Sequence, residues 1–385
     1  NSYAWAAFLP RLNGTVGLIF NNNNQKQKLA DGSSKQSTGI TSDNIQASLN
    51  LNWTLFDGFK LFATKDRLAA LVQLGDLSIK NQITTTLASV MTTYYNIVRQ
   101  KQQIKAIEEQ MQLNEDRVTL ADKKFSTGLG AKPELLQAKV DLNAQKSARL
   151  TELAQIEELK EQLNQLIAIA PGTNYEVTDS IPFNDNVILG DILGSIENTN
   201  PSLLVAKKNI DIARFTLQER RADLFPVVTF NSAYNFAKTN NTTVINTFTP
   251  LFNRNYGYNY GVSATIPIFN GFEGRRLVQQ AKIDIDRYNI TYQNQKKIVD
   301  VGIRNAFREY EVQKKALALE EENILLAKEN VFIATARFKQ GVSTYLELRD
   351  TQESLSQAYD RLIAARYNTK VAEIELIRLK GDLVK

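Results

Sequence analysis

Two carboxylates one helical turn apart, Glu347 and Asp350, are the most suggestive chemical groups in the chain. They follow a glycine-bearing turn, Gly341-Val342-Ser343. Positions three apart share a helix face, so the two carboxylates lie side by side. Equally, both could be ordinary first-turn acids that favour the helix dipole. A comparable turn, Gly128-Leu129-Gly130, precedes Glu134, which follows Pro133 and reads as a plain first-turn acid. Around these groups nothing completes a catalytic set. Cysteine and histidine are both absent, which removes thiol nucleophiles, disulfides, Cys/His zinc sites and the commonest general base. Carboxylate, lysine or serine chemistry stays open in principle. A glycosidase-type acid pair would need strand-end acids on a compact α/β pattern, and none is visible. The chain is therefore expected to be no enzyme, with no catalytic residue, cofactor or metal ligand assigned. Net charge is +5, with Lys and Arg interleaved among Asp and Glu, which argues for solvated helix faces and against a nucleic-acid partner.

The elements that must hold these turns are very long helices. From Lys65 to Ser126 there is no proline and a single glycine, Gly75; from Leu277 to Gln340 the only breaker is Gly302. Some 60 residues at about 1.5 Å rise give roughly 90 Å of helix, more than a globular core needs. A seven-residue apolar column descends each, through Val90, Ile97, Ile104, Met111, Val118 and Phe125, and through Ile303, Tyr310, Leu317, Ile324, Val331 and Phe338. Heptads over this length predict coiled-coil packing. After each glycine turn a second helix returns, giving two antiparallel helical hairpins.

Four segments instead alternate with period two. Ile45, Ala47, Leu49, Leu51, Trp53 and Leu55 are apolar, and Gln46, Ser48, Asn50, Asn52 and Thr54 between them are polar. The strands after Pro10 and Pro226 and the one through Tyr258, Tyr260, Val262, Ala264 and Ile266 alternate similarly. Each is about ten residues, the length that crosses a bilayer in a tilted barrel. The same alternation also suits a half-buried soluble sheet. The segments 21–43 and 237–256 between strands are expected to be long polar loops. No run of about 18 uncharged apolar residues exists, so any membrane crossing must be a β-barrel. The opening Asn1-Ser2-Tyr3-Ala4-Trp5 reads as the end of a helix, with no signal peptide visible.

The two halves are a tandem duplication. Phe56-Asp57-Gly58-Phe59 recurs as Phe269-Asn270-Gly271-Phe272, a shift of 213 (269 − 56). Lys124-Phe125 with Gly128 recurs at the same shift as Arg337-Phe338 with Gly341, and Glu134-Leu135 as Glu347-Leu348. The expected first repeat is 1–170, with strands at about 11–21 and 44–55 and a helical hairpin at about 60–170. A linker or equatorial segment follows at 171–200. The second repeat is 201–385, with a helix to about 222, strands at about 227–237 and 257–267 and a hairpin at about 274–381.

Taken in order, these pieces resemble the TolC family of outer-membrane efflux and secretion channels. The resemblance is most specific from Ala336 through the Gly341 turn to Leu348, in Lys124 to Gly130, and in the two Phe-x-Gly junctions. It implies an α+β membrane protein: four strands, a third of a 12-stranded barrel closed by a homotrimer, and coiled-coil hairpins forming an α-barrel in the periplasm. It also implies a passive exit duct of a tripartite efflux or type I secretion system, set in the lipid of the Gram-negative outer membrane. The partners would be a periplasmic adaptor and an inner-membrane pump or ABC transporter. By that resemblance Gly128, Leu129, Gly130, Gly341, Val342 and Ser343 match adaptor-docking tips. Glu347 and Asp350 match an acidic ring at the entrance, with Glu134 a secondary acid. Ser343 stands where the family has a basic brace, and only about ten residues precede Pro10, where the family usually has a helical segment: either that segment lies outside these residues or this protein lacks it. The rival reading, a structural coiled-coil envelope or fibre protein, explains the helices but not the strands.

Overall fold

A computed structural model describes residues 4–178, 180–183, 187–245 and 248–383. The expected helix end at the start falls partly on residues 1–3, outside the described residues; Ala4–Phe8 form a 3-10 turn. Parts of the linker (179, 184–186) and of the second inter-strand loop (246–247) also lie outside them. The chain divides into two compact units, 1–75 with 207–291, and 76–206 with 292–385.

The first unit holds an antiparallel sheet in sequence order, β1 (Arg11–Lys28), β2 (Ser34–Phe56), β3 (Val227–Asn241) and β4 (Phe252–Thr265). Register places the apolar residues together. Leu12 faces Leu51, Val16 faces Ala47, Trp53 faces Phe230, and Tyr234 lies between Leu49 and Tyr258. This face has no cover among the described residues: Val16 is 79% and Tyr258 77% exposed. The opposite face is a polar lattice. Thr15 bonds Ser48 at 2.8 Å, Thr229 bonds Ser263 at 2.8 Å, and Asn231 donates to Ser263 at 3.0 Å.

The apolar face is bounded at both ends. At one end Arg254 lies over Tyr256 and Lys238 over Phe252. At the other, Phe8, Phe56, Phe59 and Phe62 make edge-on or tilted contacts, and Trp53 Nε1 donates to the Phe8 carbonyl at 2.9 Å. From Phe56 to Ile45, which pairs with Lys238, is eleven residues. That is about 36 Å along a strand and about 27 Å at a tilt of about 40°, close to the apolar band of an outer-membrane barrel.

The strands overrun their expected bounds. The segment 21–43 is a paired extension of the first hairpin, closed by a turn in which Leu29 N donates to the Ser33 carbonyl at 2.8 Å and Gly32 has φ +84°. Asn, Gln, Lys, Ser and Thr occupy both faces here, so no apolar alternation announces the strand. Backbone pairing is satisfied regardless, and Asn24 Oδ1 accepts from Gly39 N at 2.9 Å. Likewise β3 runs on to Asn241, and β4 begins at Phe252 and stops at Thr265.

Each strand pair feeds a helix of 67 residues, α1 (Lys60–Ser126) and α5 (Glu273–Lys339). At the first junction Gly58 has φ +70°, and a Cβ there would sit 2.7 Å from the Ala222 carbonyl oxygen. Asp57 then caps α1, accepting from Leu61 N at 3.0 Å. Lys60 pairs with Asp223 and Arg67 with Glu219, at 2.7 and 2.9 Å, which fixes α4 (Pro201–Ala222) beside the start of α1.

In the second unit the rest of α1 and α5 pack with α2 (Lys132–Leu166), α3 (Leu189–Thr199) and α6 (Tyr345–Lys380). The α5 column is buried throughout, from Ile303 to Phe338. The α1 column is not: Ile97 and Ile104 are buried, Met111 and Val118 half-buried, and Phe125 is exposed. The buried stripe of α1 drifts instead onto Ile107, Gln110, Asn114, Arg117 and Ala121. A helix of 3.6 residues per turn slips about 20° per heptad unless a supercoil corrects it. Midway, α3 sets Ile192 and Ile196 against Val299, Ile303 and Leu376, while Val177 and Ile181 of the linker pack beside Ile97. Asn200 joins α3 to α4, its amide donating to the Leu379 carbonyl at 2.7 Å and its oxygen capping Leu203 N at 3.1 Å.

Candidate docking and entrance site

The two hairpin turns have one backbone design. Leu129 N donates to the Lys124 carbonyl at 2.9 Å and Gly128 N to that of Phe125 at 3.1 Å; Val342 N donates to Arg337 at 3.0 Å and Gly341 N to Phe338 at 3.1 Å. This is the Schellman pattern, and it puts Gly128 and Gly341 at φ +77° and +75°. Neither glycine has an atom near enough to obstruct a side chain, so the backbone angle alone selects glycine. Gly130 is different: a Cβ there would come 2.8 Å from the Lys124 Cβ. The residue after each left-handed glycine is apolar and bare, Leu129 at 83% exposure and Val342 at 65%. Lys124 links the turns, donating to the Phe338 carbonyl at 3.1 Å with its ammonium 3.8 Å from the Phe338 ring centre.

The acids differ from one another. Glu347 belongs to a capping box: Thr344 accepts from Glu347 N at 3.2 Å, and the Glu347 carboxylate accepts from Thr344 N at 3.1 Å. Asp350 is exposed, and among the described residues no side-chain partner holds it. Glu134, half-buried, sits in the first turn of α2 behind Ala131 and Pro133. Ser343 Oγ is buried without a hydrogen-bond partner.

Sequence reasoning missed a buried polar knot just inside the turns. Arg117 of α1, 2% exposed at its side chain, meets Asp141 of α2 at 2.6 Å. Asp141 also accepts from Gln137 at 2.8 Å and pairs with Arg349 of α6 at 3.3 Å. The Arg117 guanidinium lies 5.3 Å from the centre of the Tyr345 ring, whose phenol burial pushes above its usual pKa. Arg117 Nε, Gln110 Nε2 and Gln352 Oε1 have no protein partner and border a cavity of about 140 Å³, roomy enough for bridging water. The available signal was Gln110, Asn114 and Arg117 at three- and four-residue spacing, a buried stripe written in polar residues.

Farther along, Tyr359 donates to Glu109, Gln103 donates to Asp360, and Arg361 pairs with Glu320 at 3.1 Å. Burial and the Glu109 carboxylate together raise the Tyr359 phenol pKa. These contacts bind side chains to one another and leave no group poised for catalysis.

The sequence pattern of the family described as outer membrane efflux protein matches residues 2–169 and 192–382. Outer membrane protein TolC of Escherichia coli is 21% identical over 365 residues, covering 91% of this chain and 72% of that protein. The alkaline protease secretion protein AprF of Pseudomonas aeruginosa is 20% identical, covering 89% of this chain and 70% of its own length. Among solved structures, VceC of Vibrio cholerae superposes with a TM-score of 0.78 at 16% identity, over 99% of this chain and 89% of that one. CusC superposes with a TM-score of 0.79 at 17% identity, over 99% and 85%. The uncovered apolar sheet face, the polar lattice behind it and the paired hairpins are thus the features of a known architecture, and the chain belongs to the outer membrane efflux protein family, as a TolC-like outer-membrane channel rather than an enzyme.

Proposed function

We propose that three copies of this chain form the exit duct of a tripartite export assembly, a passive path from periplasm to exterior. The observation that carries it is the sheet. Four strands leave two unpaired edges, β1 and β4, under an apolar face with no cover. In lipid those edge groups must be satisfied by closure. An even number of antiparallel strands lets β4 of one copy meet β1 of the next antiparallel, and three copies supply twelve strands, within the range of known barrels. The apolar face then meets lipid and the Asn/Thr/Ser lattice lines the bore. Leu49→Arg, which places a charge mid-band on the lipid side, is expected to cost about 2–4 kcal/mol in folding titrations in lipid. Asn50→Arg, on the other face, should cost little. Equal costs would put both residues in one environment and sink the barrel.

The turns Gly128-Leu129-Gly130 and Gly341-Val342-Ser343 are the docking points for the periplasmic adaptor, and an inner-membrane pump drives cargo through it. Supporting this is the bare apolar residue that each glycine turn presents, a small protrusion suited to a groove. Glu347 and Asp350 form the acidic entrance, with Asp350 the freer carboxylate because Glu347 also caps its helix. Single-channel recording in a planar bilayer tests both ideas. The purified protein should conduct. A divalent or trivalent cation on the helical side should block current. Glu347→Ala with Asp350→Ala should release the block, at a stability loss near 1 kcal/mol for the lost cap. Absence of any current sinks the duct; equal block of wild type and double variant sinks the acidic ring.

A further inference from the structure

We infer that Lys238 and Arg254 bind the phosphate of a lipid headgroup at the outer rim of the apolar sheet face. This rests on the barrel proposed above and adds to it the kind of lipid that the barrel selects.

The alternation that makes the apolar face ends abruptly in charge. Phe236 pairs with Tyr256 across β3 and β4, and the next pair on the same face is Lys238 with Arg254. Side chains directly opposite stand about 5 Å apart at Cβ, and like charges there repel. Among the described residues neither cation has a carboxylate partner. Each leans on a ring instead, Lys238 on Phe252 and Arg254 on Tyr256, at 5.8 and 5.7 Å from the ring centres. Asp43 shares this face of β2 but lies two residues beyond Ile45, the partner of Lys238, and forms no ion pair with it. An anion between the two cations would relieve a repulsion that the sheet leaves standing.

The duplication supplies an internal control. Counted from Pro10 and Pro226, a shift of 216 (226 − 10), Lys238 corresponds to Asn22. At the shift of 213 that relates the Phe-x-Gly junctions, Arg254 corresponds to Thr41 (254 − 41). Asn22 and Thr41 do face each other across β1 and β2. The equivalent place in the first hairpin is therefore neutral, and the hairpin forms without cations there. The charged pair belongs to the second hairpin alone.

The surroundings of the pair fit a lipid rather than a free ion. Tyr256, Tyr258 and Tyr260 follow Arg254 along β4, and Tyr234 faces Tyr258 from β3. All four are exposed, and Tyr258 stacks on Tyr260. None of their hydroxyls has a protein partner among the described residues. Such rings offer an apolar body to acyl chains and a polar tip to headgroups. This end of the sheet is opposite the junctions to α1 and α5, so in an outer-membrane channel with a periplasmic tunnel it meets the outer leaflet. The strand connections there are basic: segments 21–43 and 237–256 hold Lys26, Lys28, Lys35, Lys238 and Arg254 against Asp31 and Asp43. The occupant is a lipid with a phosphate monoester on its headgroup, the phosphate between the cations and the chains along the tyrosines.

The test is lipid retention by the full chain, reconstituted in phosphatidylcholine vesicles doped with lipid A or with lipid A stripped of its phosphates. Mass spectrometry counts the lipid that stays bound. Wild type should prefer the phosphorylated form about twenty-five-fold, about fivefold for each cation. Lys238→Asn with Arg254→Thr, which writes the first hairpin's pair into the second, should lose the preference. Lys238→Arg with Arg254→Lys should keep it. Millimolar inorganic phosphate should not displace the lipid, because the acyl chains also hold it; displacement would make this a free-anion site and overturn the lipid as occupant. Trp53, on the same apolar face, reports on the barrel separately. In a Trp5→Phe background its fluorescence should be quenched by brominated acyl chains. Quenching without a preference for phosphate, or a preference that survives Lys238→Asn with Arg254→Thr, overturns the site alone. An unquenched Trp53 overturns the barrel and the site with it.

Discussion

Removing the carboxylate of Asp141 is expected to destabilise the helical unit by about 3–5 kcal/mol, a large loss for one side chain. Arg117 is enclosed, and Asp141 is its charge partner at 2.6 Å. In Asp141→Ala the guanidinium stays buried with no counter-charge, and its Nε already lacks a partner. Arg349, half-exposed, would turn to water and lose little. The control is the double change Arg117→Met with Asp141→Leu, which replaces the pair by apolar volume. Such exchanges are often neutral or stabilising, so most of the loss should return. Denaturant titration followed by helical circular dichroism measures all three proteins. A single-variant loss below about 1 kcal/mol would mean that water reaches Arg117 freely and that the knot is only surface chemistry.

Valine at either tip, Gly128→Val or Gly341→Val, should abolish export while the assembly stays intact. Space is not the obstacle, since a Cβ meets nothing at either glycine. The obstacle is φ near +76°, where an ordinary side chain costs about 1–2 kcal/mol and a β-branched one more. That strain opens the turn and displaces Leu129 or Val342. The hairpin bodies do not depend on the turns, the first being held by Ile97, Ile104, Ile156, Leu159 and Leu163 and the second by Leu317, Ile324, Val331, Leu355 and Leu362. Asparagine tolerates the left-handed region, so Gly128→Asn should keep most export. Cells exporting through the valine variants as fast as wild type would show that the tips take no part in docking. Failure of the asparagine variant alone would place the requirement on the missing side chain rather than on the angle.

What was legible in the sequence followed from strict periods. Alternation in β2 gave strand and face, because Leu49, Leu51 and Trp53 lie on one side of a pleat whatever surrounds them. The α5 column held for the same reason. The α1 column failed beyond Ile104 because apolar spacing there no longer marks the inside: Gln110, Asn114 and Arg117 are buried and Phe125 is not. Which polar residue is enclosed depends on a neighbour such as Asp141, set by packing between helices. The β1–β2 extension was invisible for the opposite reason, since a strand wet on both faces has no period to show. Of the candidate site, the glycine turns were readable from residue type. The capping role of Glu347 was only half readable, because first-turn position is a matter of sequence and the bond to Thr344 N is a matter of geometry.

That extension also bears on engineering. Beyond Asp43 the β1–β2 hairpin projects past the apolar band on polar side chains, and it ends in the turn from Leu29 to Ser33, held by a few local bonds. A peptide spliced in at Asp31 or Gly32 would interrupt no apolar contact of the sheet, and each doubling of loop length costs only about 0.6 kcal/mol in closure entropy. The register below is pinned separately, by the Asn24 bond to Gly39 and the shift between Asn23 and Gln25. The turn is therefore a natural graft point for an epitope tag or affinity peptide displayed at the cell surface, with the polar shaft acting as a spacer that lifts the cargo clear of the lipid headgroups.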